Sequence, residues 1–137
     1  MARIVVADDH ELVRSGIKAT LDGHPRFNVC GLAENGQEAI DRVLELKPDL
    51  IILDLSMPVL SGFQAALKIR HLAPAVKILV LSIHEAALVE QVAYLMGAHA
   101  YLRKRATGSE LISAVNSILE GNPTPPPAFA GESPTLA

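Results

Sequence analysis

The stretch Asp49-Leu50-Ile51-Ile52-Leu53-Asp54-Leu55-Ser56-Met57-Pro58 decides how the rest of the chain is read. Lys47-Pro48 punctuates what precedes it, four apolar residues follow Asp49, and Met57-Pro58 ends the run. A short, bounded, branched run of this kind predicts a strand buried on both faces. Such strands occupy the middle of parallel sheets covered by helices, where ligand sites lie beyond the carboxyl ends of the strands. Asp54 falls at that end. Taken alone, an aspartate there reads as the cap of a turn before Pro58 sooner than as chemistry, so the decision rests on the other strand ends.

The chain has 137 residues, enough for one compact domain, and its 50% hydrophobic content can fill a core. Twelve Lys and Arg against fifteen Asp and Glu leave a formal charge of −3. No overall basic field would hold nucleic acid or an anionic membrane, and Arg103-Lys104-Arg105 is the one basic cluster. The single cysteine, Cys30, excludes an internal disulfide. Asp8 and Asp9 cut the first apolar run too short for a signal peptide, and every other run is broken before the roughly 18 residues of a membrane span. The expectation is a soluble, cytoplasmic protein.

In chain order, Ile4-Val5-Val6-Ala7 predicts a strand that ends in the acidic pair Asp8-Asp9. From 10 to 22 the residues Leu12, Val13, Ile17 and Leu21 predict a helix stopped by Gly23 and Pro25, with Asp8 and Glu11 spaced as a capping box. Phe27, Val29 and Gly31-Leu32-Ala33 form a weaker strand near an edge. Asn35 and Glu38 open a helix carrying Ala39, Ile40, Val43 and Leu44 to Lys47-Pro48. After the 49–53 strand, Ser61 and Gln64 open a helix through Phe63, Ala66, Leu67 and Arg70, which ends near Pro74. Residues 76–81 form a strand ending at Ser82. Leu88, Val89, Val92, Ala93 and Met96 are spaced for a helix with Gly97 as its stop. Residues 98–102 form the last strand, and Thr107 with Glu110 caps a final amphipathic helix closed by Gly121.

Five strand–helix units imply a parallel sheet with helices on both faces and all strand carboxyl ends on one edge. That edge collects Asp8, Asp9, Asp54, Ser82 and Lys104 from four strands. Each has a structural explanation by itself, such as a cap for Ser82 or a solvated charge for Lys104. Their joint occurrence favours a site.

With those residues in hand, the chain resembles the receiver domain of two-component response regulators. The resemblance rests on Asp8-Asp9, on Asp54-Leu-Ser-Met-Pro58 with Gly62 following, on Ser82, and on Gly97-Ala-His-Ala-Tyr-Leu-Arg-Lys104, over residues 1 to 121. Asp-Asp-His10 and Leu-Ser-Ile-His84 are similar to the receivers of LuxR/FixJ-type transcription factors. The implied fold is flavodoxin-like, a doubly wound (βα)5 parallel sheet with strand order 2-1-3-4-5.

The resemblance implies that Asp54 is the phosphoacceptor, forming an acyl phosphate. Mg²⁺ is the implied cofactor, with Asp9 and Asp54 as direct ligands, Asp8 as a ligand directly or through water, and the backbone carbonyl of Ser56 as a further one. Lys104 and Ser82 would bind phosphoryl oxygens, and Ser82 with Tyr101 would form a switch in which the tyrosine rotates inward as the serine moves. Phosphorylation would then promote a homodimer through the fourth helix, last strand and fifth helix, with a face on the first and fifth helices as competitor. Ser56 and His84 flank the site at positions that in this family influence how long the phosphoryl group survives. Arg105 stands where many receivers have proline, so a cis peptide after Lys104 is not expected. No histidine forms a metal pattern, because His10-Glu11-Leu-Val-Arg14 and His84-Glu85-Ala-Ala-Leu88 both lack the second histidine of a zincin motif.

Residues 122–137 change character, with Pro123, Pro125, Pro126, Pro127 and Pro134 among small and polar residues. They read as an extended linker toward an output domain outside this chain, since no helix-turn-helix is present. The expected partners are a sensor histidine kinase and, only through such an output domain, DNA. A stand-alone receiver acting through protein contacts is the alternative. A small Mg²⁺-dependent phosphatase is a more distant one, because its second carboxylate would stand where this chain has Ser56.

Overall fold

A computed structural model describes residues 1–84 and 86–121. The expected linker at 122–137, and Glu85, lie outside the described residues. Five strands alternate with five helices: β1 (Ala2–Ala7), α1 (Glu11–Asp22), β2 (Phe27–Ala33), α2 (Gly36–Leu46), β3 (Leu50–Asp54), α3 (Gly62–Leu72), β4 (Lys77–Ser82), α4 (Ala87–Leu95), β5 (Ala100–Arg103) and α5 (Gly108–Leu119). The sheet is parallel throughout with order β2-β1-β3-β4-β5. This is the flavodoxin-like arrangement expected, with β2 at an edge and β3 in the centre.

Strand pleating divides the core into two layers. Val5, Ala7, Ile51, Leu53, Ile78 and Val80 face α2, α3 and the buried Ala93 of α4. Their neighbours Ile4, Val6, Leu50, Ile52, Leu79 and Leu81 face Ile17 and Leu21 of α1 and Leu111, Val115 and Ile118 of α5. Successive side chains in a strand point to opposite faces, so a run apolar at every position requires cover on both. All five residues of β3 are buried, and each large aliphatic one contributes about 2 kcal/mol relative to exposure.

The predicted caps at three helix starts are present. Asn35 accepts from the Glu38 N–H, and Ser61 with Gln64 and Thr107 with Glu110 form reciprocal capping boxes. The predicted box of Asp8 and Glu11 is not formed: His10 is the N-cap residue of α1 and gives no side-chain cap bond. Asp8 Oδ1 accepts from the His10 N–H at 2.9 Å, so the carboxylate serves the turn before the helix. Ser82 caps no helix either, since α4 begins after Ala86.

The inward face of α1 also differs from expectation. Leu12 is 87% exposed, whereas Arg14 is buried with Ile17 and Leu21. Arg14, Ile17 and Leu21 are spaced i, i+3, i+7, which places them on one helical stripe. Strand β5 begins at Ala100, later than expected, because Gly97 (φ +119°) and the Ala98 N–H to Ala93 carbonyl bond still close α4.

Candidate functional site

The carboxyl ends of β1, β3, β4 and β5 converge as the sequence predicts. Asp8 follows β1, Asp54 ends β3, Ser82 ends β4 and Lys104 follows β5. Asp8, Asp54 and Ser82 are buried, while Asp9 is exposed at the mouth. Lys104 Nζ stands 2.9 Å from Asp8 Oδ2 and 3.2 Å from Asp54 Oδ2. The buried Asp8 Oδ2 and Asp54 Oδ2 thus share the one ammonium between them. Two buried carboxylates facing a single ammonium leave excess negative charge, which makes the cleft a place for further positive charge.

Local backbone fixes each group. Asp54 Oδ1 accepts from the Ser56 N–H at 3.2 Å, and Leu55 N–H donates to the Leu81 carbonyl at 3.2 Å, extending the ladder past the strand end. Ser56 is exposed beside the site. Gly62 allows α3 to rest on the strand: a Cβ there would stand 2.0 Å from the Asp54 carbonyl oxygen. Lys104 N–H donates to the Ser82 carbonyl at 2.9 Å. The peptide bond after Lys104 is trans, as Arg105 implies.

Burial raises the Asp54 pKa above the carboxylate value, and repulsion from Asp8 adds to the rise against the Ser56 N–H and Lys104. For Lys104 burial acts to lower the pKa, but Asp8 and Asp54 together outweigh it and raise it. The ammonium is therefore firmly charged and Asp54 is a basic carboxylate, which suits a nucleophile.

Ser82 joins the site to the far side of β4. Its Oγ accepts from the His84 N–H at 3.0 Å, and the His84 carbonyl accepts from the Tyr101 hydroxyl at 2.7 Å. Tyr101 is half-buried and packs against the α2–α4 side of the core. Burial raises its phenol pKa, and the neighbouring Ser82 hydroxyl opposes the rise.

Two participants were missed from the sequence. Arg14 Nη1 donates to the Asp8 carbonyl at 2.7 Å and Nη2 reaches Glu34 Oε1 at 3.4 Å, while the Asp8 N–H donates to Ala33 at 3.0 Å. Asp8 is thus held from both sides. An arginine on the apolar stripe of α1 was the available signal. His10 is the second: its Nδ1 lies 3.1 Å from Asp9 Oδ1 and 3.4 Å from Asp8 Oδ1. Asp8, Asp9, His10 and Asp54 each offer a ligand atom within 4.8 Å of the others. The absence of a zincin motif says nothing about a histidine contributed beside carboxylates from another strand.

The chain belongs to the response regulator receiver domain family, whose model matches residues 4–116. Transcriptional regulatory protein DegU of Brevibacillus brevis is 37% identical over 119 residues, covering 87% of this chain and 50% of that protein. Response regulator UvrY of Escherichia coli K12 is 34% identical over 121 residues, covering 88% and 56%. The chain spans about half the length of these curated relatives. A two-component response regulator of the LuxR family from Aurantimonas superposes with TM-score 0.88 at 32% identity, covering 96% and 94% of the two chains. The receiver domain of the putative response regulator NarL from Mycobacterium tuberculosis gives 0.85 at 32% identity, covering 88% and 97%. Among the described residues, no helix is long and apolar enough to cross a membrane.

Proposed function

We propose that this receiver accepts a phosphoryl group from a sensor histidine kinase onto Asp54, with Mg²⁺ as cofactor. We further propose that it passes the signal to a helix-turn-helix DNA-binding domain joined through residues 122–137. The observation that carries the reading is the buried Asp54 carboxylate, whose Oδ2 shares the Lys104 ammonium with Oδ2 of the buried Asp8. An all-oxygen set of this kind fits Mg²⁺. Asp9 and Asp54 would hold the ion directly, Asp8 directly or through water, and the Ser56 carbonyl would complete the protein ligands. When bound, Mg²⁺ screens the carboxylates from one another and from phosphoryl oxygens.

The chain's own groups account for the transfer. An oxygen of Asp54 bonds to phosphorus as the bond from phosphorus to the kinase histidine nitrogen breaks, with the electron pair left on that nitrogen. The loose transition state places charge on the equatorial oxygens, so positioning and electrostatics supply most of the catalysis. Lys104 offers a point charge and Ser82 a hydroxyl donor. Drawing the Ser82 hydroxyl toward the phosphoryl group would give up its bond from the His84 N–H, and the His84 carbonyl carries the Tyr101 hydroxyl with it. This linkage supports Ser82 and Tyr101 as the switch.

The readout proposed is homodimerisation on the surface of α4, β5 and α5. Of nine residues in α4 only Ala93 is buried, while Leu88 is 70% and Leu95 is 67% exposed. Apolar side chains presented in this way suit a protein contact.

The test is labelling with a small acyl phosphate and Mg²⁺, read by mass spectrometry. One phosphoryl group per chain, absent in Asp54→Ala, is expected. Undiminished labelling of Asp54→Ala, or continuing turnover of a phosphomonoester, would overturn the reading.

A further inference from the structure

We propose that Arg14 is a positioning residue that, through the main chain of Asp8, aims the Asp8 carboxylate at the ammonium it shares with Asp54. This rests on the phosphotransfer reading given above and adds a residue from outside the acidic cluster. Arg14 stands on the apolar stripe of α1 with Ile17 and Leu21 and is buried as they are. Taking a guanidinium out of water is costly, and an aliphatic side chain in such a place is often as stabilising or more so. Packing alone therefore gives no reason for an arginine on this stripe.

What the guanidinium touches supplies one. Nη1 donates to the Asp8 carbonyl at 2.7 Å, and Nη2 reaches Glu34 Oε1 at 3.4 Å. Asp8 lies one residue past the end of β1, where its N–H still donates to the Ala33 carbonyl of β2 at 3.0 Å. Its own carbonyl is met by α1 through Arg14. With both main-chain groups held from outside the turn, the side chain is delivered to one place: Oδ1 accepts from the His10 N–H at 2.9 Å, and Oδ2 stands 2.9 Å from Lys104 Nζ. The Glu34 side chain is 65% exposed, so its pair with Arg14 is weak, and the bond to the Asp8 carbonyl is the one that matters.

The competing account is that Arg14 satisfies a buried carbonyl and does nothing more, in which case its loss lowers stability and leaves the site of the folded chain unchanged. Two variants of the full chain separate these. Arg14→Met keeps the apolar stem without a donor, whereas Arg14→Lys keeps the charge and a donor but not the fork. Calorimetry with Mg²⁺ alone, on protein shown to be folded by urea titration, should find binding weakened about tenfold in Arg14→Met and about threefold in Arg14→Lys, near the lower end of what residues that orient metal ligands contribute. Labelling with a small acyl phosphate should show the half-saturating Mg²⁺ concentration rising by the same factors, with the rate at saturating Mg²⁺ close to that of the wild type. Wild-type Mg²⁺ affinity in either folded variant would overturn the inference, and Arg14→Lys decides alone if Arg14→Met does not fold. A wild-type chain that binds no Mg²⁺ overturns the cation reading and this inference together; a wild-type chain that binds it no more tightly than the variants removes only the role of Arg14.

Discussion

The Tyr101 hydroxyl donates to the His84 carbonyl at 2.7 Å, and the His84 N–H donates to Ser82 Oγ at 3.0 Å. One peptide segment therefore connects a hydroxyl at the candidate site to an aromatic ring on the next strand. A ligand shifts a conformational equilibrium only by its differential affinity for the two states, and the phosphoryl group would supply that through Ser82 and Lys104. Tyr101→Ala is expected to accept a phosphoryl group at Asp54 but to lose phosphorylation-dependent dimerisation in sedimentation velocity. Dimerisation at wild-type strength would leave Tyr101 as ordinary packing.

Asp54 should be a liability to the metal-free fold. Its pKa is raised by burial and by Asp8, so folding disfavours its charged form, and this cost is fully present above the raised value. Asparagine keeps the shape and removes the charge. Asp54→Asn is expected to raise the thermal midpoint by about 2–4 °C without divalent cation, the scale on which ~1 kcal/mol registers in a domain of this size. A lower midpoint in scanning calorimetry would contradict this.

The close approach of α3 to β3 makes Gly62 sensitive. A Cβ there would meet the Asp54 carbonyl oxygen at 2.0 Å and the Leu55 Cα at 2.6 Å, both backbone atoms that cannot swing aside. Gly62→Ala is expected to cost about 1–3 kcal/mol in urea unfolding, and to slow phosphorylation by displacing the end of β3. Wild-type values for both would show that the helix can lift away without disturbing Asp54.

His99 gives the fold a pH dependence remote from the site. Its Nδ1 accepts from the Ile78 N–H at 3.0 Å, and its pKa is lowered by burial and then by Lys77. A lowered folded pKa means that the unfolded chain binds the proton more readily. The contribution is whole above the ordinary histidine value of about 6.5 and is lost as pH falls through the lowered folded value. The difference in urea midpoint between wild type and His99→Gln should therefore shrink from pH 7.5 to pH 5. A difference independent of pH would remove His99 from this role.

Much of the site was legible before any tertiary structure was considered. Apolar runs too short for helices, each followed by helical spacing and a cap, imply parallel strands, and parallel strands bring their carboxyl ends to one edge. Asp8, Asp54, Ser82 and Lys104 could be gathered on that ground alone. Local chemistry was equally readable at Asn35, Ser61 and Thr107, where a side chain three residues from its partner needs nothing distant.

What tertiary structure decided was the direction of individual side chains whose partners come from elsewhere in the chain. Leu12 points outward and Arg14 inward because the Asp8 carbonyl and Glu34 compensate a buried guanidinium, and neither partner belongs to α1. His10 faces the acidic cluster because the turn after β1 puts its N–H on Asp8 and its ring over Asp9. The bond from Tyr101 to the His84 carbonyl needs β5 beside β4 before it can exist. Sequence alone determined which elements form and which edge they share, because periodicity and capping are local. Only the packed structure determined which charges and hydroxyls meet, because burial makes each polar group depend on partners that the chain brings from far along its length.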